Sequence, residues 1–142
     1  MLARPAWRCI VAVLTLFLGV ASSHAAETAY PTRPIRLIVP YPPGGSTDPT
    51  ARAYGTWLSE KLGVPVVIDN RPGAGATIGH GLAAKAPPDG YTLLLGTSAG
   101  LVVSPAFGTK LAYDPVKDFA PVGLGVYVPF LLVVHPAVPA KT

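Results

Sequence analysis

Three short apolar runs, each feeding a loop of small residues, constrain this chain more than any other feature. Ile35-Arg36-Leu37-Ile38-Val39 leads into Pro40-Tyr41-Pro42-Pro43-Gly44-Gly45-Ser46-Thr47-Asp48. Val66-Val67-Ile68 leads, through Asp69, into Asn70-Arg71-Pro72-Gly73-Ala74-Gly75-Ala76, and Tyr91-Thr92-Leu93-Leu94-Leu95 into Gly96-Thr97-Ser98-Ala99-Gly100. Near-continuous apolar runs of this length fit strands buried on both faces. Between them lie helical patterns. The first covers 49–62, with Ala51, Tyr54, Leu58 and Leu62 on its apolar side and Gly63 where a C-terminal cap belongs. The second covers about 77–86, with Ile78, Leu82, Ala83 and Ala86 on its apolar side. Gly55 weakens the first by about 1 kcal/mol relative to Ala, and Gly79 and Gly81 weaken the second. The order β-α-β-α-β predicts an α/β fold with a parallel sheet and right-handed crossovers. Ligands of such sheets sit outside the carboxyl ends of the strands. All three loops follow strands, so all three are expected on that one edge.

The rest of the chain reads less regularly. Two prolines make 30–34 an extended lead-in, and Pro87-Pro88-Asp89-Gly90 is a turn by composition. A short helix is expected over 101–107, limited by Pro105, then a turn at Tyr113-Asp114-Pro115. Phe119 to Val126 and Phe130 to Val134 read as two further strands around Pro129.

The first 25 residues read as a secretory signal peptide. Arg4 and Arg8 supply the positive start, Ile10 to Val20 the apolar core, and Ser23-His24-Ala25 the small-x-small site before Ala26. Ala6-Trp7-Arg8 before Cys9 is no lipoprotein signal, and Cys9 is the sole cysteine. The mature chain therefore has no disulfide and no cysteine metal site. The 142 residues have room for one domain. The formal charge of +4 falls to +2 once Arg4 and Arg8 leave, and the remaining basic residues are scattered. Nucleic-acid binding has no support in that pattern.

The loop after the first strand is built for an anion. Asp48 is read as the helix N-cap and Pro49 as the first helical residue. Prolines stiffen the turn, glycines admit a ligand close to the backbone, and the helix start aims bare N–H groups at one point. Ser46 and Thr47 can donate to a small carboxylate, whereas Asp48 suits capping or a ligand's ammonium group. The bland alternative is a tight βα turn with no ligand. The loop lacks the Gly-Lys-Ser/Thr ending of a phosphate-binding P-loop. Gly73-Ala74-Gly75-Ala76-Thr77-Ile78-Gly79 departs from the dinucleotide spacing, and no acidic residue ends strand three, so no cofactor is expected. Gly96-Thr97-Ser98-Ala99-Gly100 matches G-x-S-x-G, with Asp114 or Asp118 and then His135 in hydrolase order, which makes a secreted serine hydrolase the competing reading. Against it, no helix is evident directly after Ser98, and His135 precedes Pro136. Dispersed histidines make no metal site, and His80 is expected at the surface. Tyr54 and Trp57 are expected to pack at the core boundary.

Five blocks in order then carry a resemblance: Tyr30-Pro31-Thr32-Arg33-Pro34-Ile35-Arg36; Pro40 to Asp48; Asn70 to Gly75; Lys85-Ala86-Pro87-Pro88-Asp89-Gly90-Tyr91-Thr92-Leu93; and Tyr113-Asp114-Pro115-Val116-Lys117-Asp118-Phe119-Ala120-Pro121-Val122. From Tyr30 to the end the chain resembles the Bug (TctC-like) family, extracytoplasmic solute receptors of tripartite tricarboxylate transporters. The resemblance implies a two-lobed periplasmic-binding fold of the second type that closes on a small carboxylate without catalysis. It implies a periplasmic monomer that meets the transporter's membrane subunits. It places the ligand-binding residues at Tyr41, Gly44, Gly45, Ser46, Thr47 and Asp48, at Thr97, Ser98 and Ala99, and with less support at Gly75 and Ala76; Ser98 becomes a donor and no nucleophile. Family members are about twice as long, so residues 26–142 are expected to form the N-terminal part of lobe one, with lobe two mostly absent.

Overall fold

The computed structural model describes residues 30–129, 133 and 135. The signal-peptide reading of 1–25 and most of the strand expected over 130–134 lie outside the described residues.

Three parallel strands form the sheet: β1 (Ile35–Val39), β2 (Val66–Asn70) and β3 (Thr92–Leu94), in the order β2-β1-β3. Ile35 pairs with Val66 and Val39 with Asn70, while Ile38 pairs with Leu94. β1 is central, and its burial shows it: Ile35, Ile38 and Val39 are all but fully enclosed. Side chains alternate across a strand, so Leu37 and Val39 share a face with Val66, Ile68, Leu93 and Leu95.

Helix α1 (Thr47–Leu62) closes that face through its smallest residues, Ala51 and Gly55. A Cβ on Gly55 would stand 2.9 Å from Ile68 Cδ1. The glycine that weakens the helix locally is thus what lets it approach β2. Ser59 Oγ donates to Gly55 O at 2.7 Å and accepts Val66 N–H at 2.9 Å, joining the helix end to the next strand. Gly63, at φ 69°, ends the helix in the left-handed region, as expected.

Helix α2 (Thr77–Ala84) differs from its expected amphipathic reading. Its buried residues are Gly79, His80 and Gly81, while Ile78 and Leu82 are exposed. Close approach decides this. Gly79 lies where a Cβ would meet Pro40 Cβ at 2.8 Å and Arg71 O at 2.9 Å, so only a bare backbone can lie against the end of β1. After β3 the chain turns through a π-helical segment, Ala99–Val103, into the short α3 (Ser104–Ala106). The expected helix over 101–107 is present but starts earlier.

Residues 119–126 form no strand, contrary to the sequence reading. Val122 and Leu124 are exposed, and the three-stranded sheet acquires no further partner among the described residues. Apolar composition alone does not make a strand: neither edge strand, β2 or β3, pairs with this segment. At the opposite end of the sheet the lead-in is pinned by Tyr30 Oη donating to Gly90 O at 2.7 Å. Arg33 reinforces it, stacked 4.0 Å over the Tyr91 ring and paired with Asp89 at 2.7 Å.

Candidate functional site

Parallel strands in this register send their carboxyl ends the same way, so the loops after Val39, Asn70 and Leu94 leave from one sheet edge. Hydrogen bonds then tie the loops to one another. Tyr41 Oη and Thr97 Oγ1 lie 3.5 Å apart, joining loop one to loop three. Asn70 Nδ2, at the end of β2, donates to Tyr41 O at 3.0 Å and to Asp48 Oδ1 at 3.1 Å.

Loop one is organised from beneath by Asp48. Its carboxylate is buried, and it accepts Gly44 N–H at 3.1 Å and Arg52 Nε–H at 2.8 Å besides Asn70. The Arg52 hydrogen bond, then that of Gly44, hold this carboxyl down at about 2. The helix begins at Thr47, so the N-cap position belongs to Ser46 and not to Asp48, and Ser46 makes no side-chain cap. Asp48 sits inside the first turn and braces the loop backward through Gly44. Its negative charge is balanced by Arg52 and shared with donors of the loop, which corrects its reading as a cap.

Gly44 N–H is taken by Asp48, Gly45 N–H points to Pro42 O at 3.4 Å, and Asp48 N–H donates to Gly45 O at 3.2 Å. Ser46 and Thr47 N–H have no backbone or side-chain acceptor among the described residues, as the first amides of a helix generally do not. Ser46 is exposed and Thr47 half-buried.

Loop two is a run of left-handed backbone, with φ of 46° at Ala74, 64° at Gly75 and 78° at Ala76. Only the glycine takes that conformation without a Cβ penalty. Gly75 is exposed, but Ala76 is buried and its carbonyl accepts from His80 Nδ1 at 2.8 Å. Ala76 therefore underlies the edge and does not line it.

His80 is the residue that sequence reasoning misplaced. It is fully buried, not at the surface. Thr97 N–H donates to its Nε2 at 3.3 Å, and its ring stacks on Tyr113 with centroids 5.9 Å apart. Burial lowers its proton affinity, partly offset by the Ala76 carbonyl. The signal was available in the sequence: a histidine between two glycines in a short helix has room to be enclosed.

Loop three presents Ser98, exposed, and Ala99, half-buried; Thr97 N–H is already taken by His80. A helical turn does begin at Ser98, contrary to expectation, yet Ser98 has φ −56° and ψ −32°. That is relaxed helical backbone, whereas a nucleophile elbow is a strained turn. His80 has both nitrogens committed elsewhere. Asp114 accepts from the N–H groups of Val116 and Lys117, and Asp118 from that of Asp114. His80, Asp114 and Asp118 are thus each held by other partners and do not serve Ser98 as a base. No cluster of three or more His, Cys, Asp or Glu that could hold a metal occurs among the described residues, and no helix there is long and apolar enough to cross a membrane.

Comparison with known proteins agrees with this architecture. The family model described as "Tripartite tricarboxylate transporter family receptor" (TctC) matches residues 50–142. Protein BugT of Bordetella pertussis is 45% identical over 131 residues, covering 89% of this chain and 40% of BugT. Among solved structures, MatC from Rhodopseudomonas palustris with bound malate superposes with a TM-score of 0.62 at 41% identity, covering 66% of this chain and 32% of MatC. R. palustris Rpa4515 with adipate gives 0.52 at 39% identity, covering 61% and 29%. The chain spans 40% or less of the length of each of these three relatives. With the family model matched from Thr50 to the last residue, the chain belongs to the TctC family of tripartite tricarboxylate transporter receptors.

Proposed function

We propose that this chain carries the anion-holding edge of an extracytoplasmic receptor that captures a small carboxylate for a tripartite tricarboxylate transporter. The observation that carries this reading is the pairing of two sets of uncommitted donors, Ser46–Thr47 and Ser98–Ala99, on loops that leave one sheet edge and meet at Tyr41 and Thr97. Malate and adipate in the related MatC and Rpa4515 structures point to dicarboxylic acids as the first ligands to try. The chain acts in the periplasm after loss of residues 1–25, as a monomer that engages the transporter's membrane subunits, with no cofactor and no nucleic acid. Gly44, Gly45 and Asp48 shape loop one, Gly75 borders the site, and the hydroxyls of Tyr41, Ser46, Thr47, Thr97 and Ser98 complete the donor set.

Magnitudes bound what this edge can do. A hydrogen bond to a charged group contributes about 1.5–3 kcal/mol and a helix start about 0.3–1 kcal/mol. A dissociation constant near 1 μM needs about −8 kcal/mol, and one near 1 mM about −4 kcal/mol. Three or four donors reach the first figure in a dry, closed cleft. On an edge open to water the same donors reach only the second, because the surrounding dielectric weakens each of them. Ligand-observed NMR of the mature chain, residues 26–142, with L-malate is therefore expected to give a dissociation constant on the order of 1 mM, with no binding of the neutral diamide. Equal binding of acid and diamide would overturn an anion site.

A further inference from the structure

The receptor reading gives His80 no role, yet the imidazole is fully buried and has both nitrogens occupied by different loops. Ala76 O can only accept, so Nδ1 carries the hydrogen at 2.8 Å. Thr97 N–H can only donate, so Nε2 is bare at 3.3 Å. The two partners fix one neutral tautomer. A proton on Nε2 would set two N–H groups against each other.

Among the described residues no acidic side chain pairs with the ring to compensate an imidazolium. From the segment after α3, Tyr113 stacks on it and Phe119 meets it edge-on at 6.4 Å. The Tyr113 hydroxyl donates to Gly100 O at 2.7 Å, and burial raises its own pKa, so it stays uncharged. Asp114 and Asp118 on that segment accept from their own backbone. From the π-helical segment, Gly100 comes so near that a Cβ there would stand 2.5 Å from the ring. Loop two offers a carbonyl and loop three an amide. Thr97, held by Nε2, is also the residue whose hydroxyl lies 3.5 Å from Tyr41, so loop one is joined to the same point.

We propose that neutral His80 is the positioning residue of the carboxylate edge, spanning loops two and three so that Thr97 and the Ser98 and Ala99 amides keep their place only while the imidazole is unprotonated. This rests on the receptor reading. It makes acid binding sensitive to pH on the low side of the ordinary histidine value of 6.5, because a buried base resists protonation until the solution is more acidic.

The test uses the mature chain, residues 26–142, ¹⁵N-labelled, with L-malate as probe, together with His80→Asn and His80→Gln. Asparagine can keep the bond to Ala76 but is too short for Thr97, whereas glutamine can offer an acceptor to Thr97. In the unmodified protein the His80 imidazole shifts should report the Nδ1–H tautomer, and the Thr97 amide should move with the imidazole titration at the same midpoint. At pH 7.5 H80N should bind malate about tenfold more weakly and H80Q within about threefold, as expected for loss of one hydrogen bond. As pH falls, the ratio between the unmodified chain and H80N should close toward one; malate's own ionisation is common to both and cancels. A Thr97 amide indifferent to the imidazole titration overturns the proposal, with or without variants that fold. So does equal malate affinity in the unmodified chain and H80N at every pH. If the unmodified chain binds no malate at any pH, the receptor reading fails, and the Thr97 amide alone then decides whether His80 positions this loop.

Discussion

Loop one and loop three do the same task by opposite means. Loop one is braced by a buried charge: Asp48 gathers Gly44, Arg52 and Asn70 about one carboxylate. Loop three is braced by a buried neutral ring, with His80 between Ala76 and Thr97 and aromatic side chains around it. A charge tolerates slack, because electrostatic attraction falls off gradually with distance. A neutral ring in close packing does not, because dispersion and steric terms change within fractions of an ångström. The loop-three side of the molecule should therefore be the brittle one.

Alanine at two glycines tests that difference most strongly. At Gly100, in loop three, a new methyl would stand 2.5 Å from the His80 ring, which is packed against Tyr113 and Phe119 and cannot swing aside. Gly100→Ala is expected to cost about 3 kcal/mol, read as a fall in melting temperature of roughly 10 °C or more. Gly44, in loop one, also has positive φ, but no atom lies within 4 Å of where its Cβ would be. Gly44→Ala should cost only the backbone penalty, about 1–2 kcal/mol. Equal losses at the two sites would remove the distinction. A smaller effect of opposite sign is expected at Ala76, where φ is 78°. Ala76→Gly relieves that strain, loses one buried methyl and some chain entropy, and should stabilise by about 0.5 kcal/mol in denaturant titration.

The gentlest comparison is along the pH axis. Asp48 is held at about 2, below its ordinary 3.8. Its contribution is therefore complete above pH 4 and disappears as pH falls through 2. His80 is lowered from 6.5. The unfolded chain takes up that proton first, so its contribution is complete above pH 6.5 and declines below. Melting temperature against pH should bend once below 6.5 and again below 4. Asp48→Asn should weaken the lower bend, to which Asp69 and Asp114 also contribute, and leave the upper one in place.

What the sequence showed depended on the scale of the interaction. The three sheet strands and their succession along the chain were legible, because apolar runs and glycine-rich loops alternate over tens of residues. The packing face of α2 was not, because Ile78 and Leu82 satisfy a helical pattern while Gly79 and Gly81 win through close approach to Pro40 and room for His80. The extra strand over 119–126 failed for the same reason in reverse: composition was right, but no sheet edge takes the segment up. At the proposed site, the candidates Ser46, Thr47, Ser98 and Ala99 came from loop chemistry and family resemblance. Asn70 and Arg52 were not, because their roles arise from a carboxylate four residues from one and twenty-two from the other.

In the proposed receptor, donors from loop one and loop three act on one bound anion. Amide shifts recorded while L-malate is added to the ¹⁵N-labelled chain test this most directly. Ser46, Thr47, Ser98 and Ala99 are expected to move together along one saturation curve, with Trp57 on the outer face of α1 unmoved. Movement confined to one loop, separate curves for the two, or shifts centred on Trp57 would contradict a shared site.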